Sequence, residues 1–85
     1  MAEQPSPEEL AAQLAALDVT QFVAAAASTI ASLAYAKLEG GDLDQARQAI
    51  DALAALCPHV GDELRPDLER TVTSLQVAYA TAASA

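Results

Sequence analysis

Apolar residues recur along this chain at intervals of three and four, in four blocks divided by acidic, glycine or proline punctuation. That is the period of amphipathic helices. The first block carries Leu10, Leu14 and Leu17 behind the stretch Ser6-Pro7-Glu8-Glu9. Ser6 is placed to cap, Pro7 to take the first helical position and Glu9 to close a capping box, so a short helix is expected up to about Leu17. Asp18 and Gln21 repeat the capping spacing and predict a new helix from Val19, with one continuous helix kinked near Asp18 as the alternative.

The second block has two faces that look buriable. Val19, Phe22, Val23, Ala26, Ile30, Leu33 and Leu38 follow one side, and Ala24, Ala27, Ser28, Ala31 and Tyr35 fill much of the remainder. A chain this short is expected to cover only one of them itself. Gly40-Gly41 ends the helix by supplying left-handed conformations, and Asp42 or Asp44 caps the next. The third helix, Leu43 to Cys57, places Leu43, Ala46, Ile50, Leu53 and Cys57 on a heptad-like seam that Pro58 stops. Asp62 is expected to cap a last helix carrying Leu64, Leu68, Val72, Leu75 and Tyr79, which frays from about Ala82.

Composition supports an all-α fold. Alanine supplies 22 of the 85 residues and aromatics only three, which suits helices packed closely by small side chains. The expected architecture is a small antiparallel helical bundle of three main helices and a short N-terminal one, occupying residues 6–83 behind a disordered tail, 1–5. At this length a lone chain buries only about 60% of the surface its unfolded form exposes, so completion by dimerisation is expected. With one cysteine and one histidine, Cys57 and His59, neither a disulfide within the chain nor a zinc cage is available as a staple.

Charge narrows the partners. A formal net charge of −8, with only Lys37, Arg47, Arg65 and Arg70 basic, argues against direct nucleic-acid binding and is compatible with a basic protein partner. The run Val19 to Ala36 is uncharged but mostly alanine, with Thr20, Gln21, Ser28, Thr29 and Ser32 inside it, so a helix buried against helices is expected rather than a membrane span. The N-terminus has acids where a secretory signal needs basic residues, and a cytoplasmic location is expected.

No constellation for catalysis, cofactor or metal emerges. Cys57 completes an apolar seam, and residues either side of a helix-stopping proline tend to point apart, so Cys57 and His59 read as a structural thiol and a loop residue. The carboxylates read as caps and solvated charges. Arg47 and Asp51, spaced i,i+4, form either a weak surface pair or a contact between two copies of the third helix. The expected dimer interface is the small-residue face Ala24, Ala27, Ser28 and Ala31 with Tyr35, joined by Arg47 and Asp51.

Two resemblances follow from these residues. Leu33, Ala34, the Gly-Gly turn, Ala46, Ile50 and Pro58 fall at the spacings of one tetratricopeptide-like helix pair, with Lys37 where an aromatic belongs. That likeness implies the alternative of a monomeric adaptor taking up a helix of another protein. More extensively, Phe22-Val23, the run Asp42-Leu43-Asp44-Gln45-Ala46-Arg47-Gln48-Ala49-Ile50-Asp51-Ala52-Leu53 and Gly61-Asp62-Glu63-Leu64 onward to Tyr79 resemble the bacterial domain of unknown function 1844 family over about Asp18 to Ala80. The family often has a longer connection before the central motif and a different turn after it. The resemblance implies a small helical protein without catalytic residues or cofactor, encoded near translation genes. The expectation is a non-enzymatic homodimer acting through protein–protein contacts.

Overall fold

The computed structural model describes Gln4 and Ser6–Ala85; the expected disordered tail therefore lies, apart from Gln4, outside the described residues. The described residues form four α-helices: α1 Pro7–Ala15, α2 Val19–Glu39, α3 Leu43–Leu56 and α4 Arg65–Ser84, with a 3-10 turn, Cys57–His59, after α3. No strand occurs among the described residues. The all-α bundle is as its periodicity dictates.

Three of the four starts are capped by the side chains that sequence assigns to them. Ser6 Oγ accepts from the Glu9 amide, Asp18 Oδ1 from Gln21 and Asp42 Oδ1 from Gln45, each at 3.2 Å. Each bond satisfies an amide that the helix itself leaves unpaired. The Asp18 cap, in extended backbone, separates α1 from α2. At the end of α2 Gly40 keeps a right-handed conformation and Gly41 alone turns left-handed, at φ 77°. Asp42 then donates to the Lys37 carbonyl and Gly41 to the Leu38 carbonyl, which closes the helix within one residue pair.

The start of α4 departs from expectation. Leu64 is its N-cap and no side chain caps it; Asp62 instead meets Arg65 at 2.9 Å. The Arg65 guanidinium reaches further, donating to the carbonyls of Cys57 and Pro58 at 3.4 Å each. These carbonyls close the α3 end, where a cation is favoured. Gly61, at φ 89°, carries the chain round this corner, and a methyl built on it would stand 3.2 Å from Thr20 Cγ2.

α2 and α3 form a hairpin joined by three residues, and α4 packs on both. The core is Ala27 and Ala34 from α2, Ala49, Ile50 and Leu53 from α3, Cys57 and Val60 from the corner, and Leu68, Val72 and Leu75 from α4. It is a lean core: Leu53 and Leu75 are its largest fully buried side chains. α1 packs against no other helix and buries nothing. Accordingly the radius of gyration is 16.3 Å, against about 12 Å for a compact domain of this length.

Candidate functional site: an uncovered apolar strip

The expected interface residues do not share one surface. Ala27 is fully buried in the chain's own core, with Ala24 and Ala31 half-buried beside it. The small-residue face thus points inward, because small side chains let α2 lie close against α3 and α4. Ser28 and Tyr35 are exposed on the flank of α2 turned away from Phe22 and Leu33. Arg47 and Asp51 pair within the chain at 3.9 Å, both well solvated, beside a cleft that Ile50, Gln76 and Tyr79 complete between α3 and α4. A pair so exposed contributes little to stability.

The surface left bare is the other face. Val19, Phe22 and Leu33 of α2 are exposed, Phe22 by 63%, and so are Leu10 and Leu14 of α1 and Leu17 in the bend that follows it. Successive helical residues turn by about 100°, so Val19, Phe22, Ala26, Ile30 and Leu33 fall on one stripe. Leu14, Leu17, Val19 and Phe22 line a common cleft, which joins the α1 leucines to that stripe. At the far end Ile30 and Leu33 share a groove with Gln45, Gln48, Ala49 and Ala52 of α3. One apolar strip therefore runs from α1 along α2 to the flank of α3.

The signal for it was present in the sequence as the larger of the two α2 faces, together with the α1 leucines. Between Leu10 and Ala36 the only charged residue is Asp18, and that one caps a helix. Interface centres are depleted of charge in the same way.

The clefts offer little to a small molecule. Each measures about 230–240 Å³ and is open to solvent, where ligand pockets occupy roughly 300–1,000 Å³. Cys57 is buried and its thiol donates to the Leu53 carbonyl at 3.6 Å. Burial first, then the Glu69 carboxylate, raises its pKa above the ordinary thiol range, with Arg65 acting in opposition. His59 sits exposed on the 3-10 turn.

A buried, protonated thiol is a poor nucleophile, so thiol reagents should label Cys57 roughly tenfold or more slowly in the native protein than in denaturant. Equal rates in the two states would contradict that burial. The unfolded chain also releases this proton at lower pH than the folded one. Its contribution to stability is whole below the unfolded thiol pKa of about 8.5 and is lost as pH rises from there through the raised folded value. Urea midpoints should therefore fall above that pH, less so in Cys57→Ala.

No protein-family model, curated protein or solved structure matches this chain. What fold and surface define is a class: a small acidic helical bundle that leaves a long apolar strip uncovered.

Proposed function

We propose that this protein is a non-enzymatic interaction protein whose working unit is a homodimer and whose contact surface is the α1–α2 strip. The observation that supports this most is the exposure of the strip. Leu10, Leu14, Leu17, Val19, Phe22 and Leu33 are each between 46% and 73% exposed, and large apolar side chains left together in water mark an interaction surface. The acids exposed on α3, α4 and the turn between them, among them Asp44, Asp51, Glu63 and Glu69, leave a second surface suited to a basic protein. The proposed kinship with the domain of unknown function 1844 family, and through it a link to translation, rests on the Phe22-Val23 pair and the Asp42–Leu53 motif.

A membrane reading has one feature in its favour. α2 is long and apolar enough to cross a bilayer by length and composition, with a mean hydropathy of 1.4 in its best window. Its packing weighs against this. α3 and α4 lie along it and carry Asp44, Arg47, Asp51, Asp67, Glu69 and Arg70 on exposed surfaces, and such charges are costly inside a bilayer.

Capture from an extract of the source cells tests the surface. The wild-type chain as bait should retain proteins, copies of itself included, that a Leu14→Glu/Phe22→Glu bait loses while keeping its helical circular dichroism. Identical proteins on both baits would rule out the strip as the working surface.

A further inference from the structure

We infer that the strip is covered by a second copy of the chain in a reciprocal exchange, with α1 of each copy lying along the exposed α2 face of the other. This rests on the protein-contact reading above and names its partner. Both halves of the contact are present in one sequence: a leucine-bearing helix with nothing under it, and a helix face with nothing over it. Leu10, Leu14 and Leu17 recur at intervals of four and three, as Ala26, Ile30 and Leu33 do on α2, and Leu14 and Phe22 already sit on one continuous cleft. A two-fold axis near that cleft brings Leu14 of each copy onto Phe22 of the other, which is the self-complementarity a two-fold interface requires.

Exposure and charge agree with that occupant. Six large apolar side chains on each chain, 46–73% exposed, are there to be covered, and covering such surface is what drives association. Two chains of net charge −8 repel at long range, yet the contact centre holds only Asp18, so the acids stay at its rim. The arm also accounts for the shape. α1 is capped, helical and detached from its own bundle, and the molecule spans 52 Å in a layer 15 Å thin.

Sedimentation equilibrium tests this on the full chain, with circular dichroism reporting the fold. The wild type should sediment at twice the 8.7 kDa chain mass, about 17 kDa, and Leu14→Lys and Phe22→Glu should each fall to the monomer mass with helicity kept. An equimolar mixture of the two variants should regain the dimer mass. In the mixed pair one contact joins Lys to Glu and the other keeps Leu14 on Phe22, whereas contacts of α1 with α1 and α2 with α2 would not be repaired by mixing.

A wild-type monomer at all concentrations overturns the second copy, and the capture experiment still decides whether the strip serves another protein. A dimer that survives both substitutions, or variants that stay monomeric when mixed, overturns the exchange. A monomer whose melting temperature drops in Leu14→Lys would show α1 folded onto its own chain, which overturns both the exchange and the contact-surface reading.

Discussion

Ala27→Glu should leave this chain unfolded. Ala27 has no accessible surface, and it lies at the middle of α2 in the cluster that holds Ala34, Ile50 and Leu53. A longer side chain must displace packed neighbours, at about 1–3 kcal/mol. Its carboxylate would also lie in an apolar core with no buried polar side chain among the described residues to meet it, and an unpaired buried charge costs several kcal/mol. The sum takes most of the roughly 5–15 kcal/mol that holds a small domain together.

The adjacent substitution is the control. Ser28 is exposed, so Ser28→Glu should change stability by no more than about 0.5 kcal/mol. Thermal melts followed by circular dichroism compare the two directly. A folded Ala27→Glu with a normal melting temperature would mean that α2 presents its small face outward, and the assignment of the bare strip would fall with it.

That comparison marks where sequence was informative and where it was not. Caps at Ser6, Asp18 and Asp42 were legible because a cap is a local event, a side-chain oxygen and an amide three residues on. The α3 seam and the α4 stripe were legible because each helix has one apolar face and charge on the others. α2 has two apolar faces, and periodicity locates both without saying which one the rest of the chain covers. Close approach decides that: Ala27 and Ala34 admit α3, with its Ala46 and Ala49, nearer than Phe22 and Leu33 would. Spacing alone offers the small-residue stripe to a partner, whereas the fold puts Ala27 in the chain's own interior, leaves Ala24 and Ala31 half-buried beside it and keeps Ser28 exposed.

Arg65 was missed for a related reason. Its value depends on the carbonyls of Cys57 and Pro58, which come within reach only once the 3-10 turn has folded the corner. Sequence spacing favoured Asp62 as a cap, but the cation draws that carboxylate into a pair instead.

The lean core makes the last prediction sharp. Leu53→Ala should destabilise by about 3–5 kcal/mol, the upper part of the range for buried leucines. Leu53 is wholly covered, and with alanine already at Ala27, Ala34 and Ala49 the core has few long side chains that could move into the gap. Ile50→Ala should cost less, roughly 2 kcal/mol. Ile50 is 3% exposed and borders the cleft of Arg47, Gln76 and Tyr79, whose flexible ends can shift over a vacancy. Urea unfolding of both variants at one fixed protein concentration, which association makes necessary, should give the order Leu53→Ala below Ile50→Ala below wild type. The reverse order between the variants would place the centre of the core on the α3–α4 cleft, and a loss below about 1 kcal/mol for Leu53→Ala would mean that α3 does not pack through this seam.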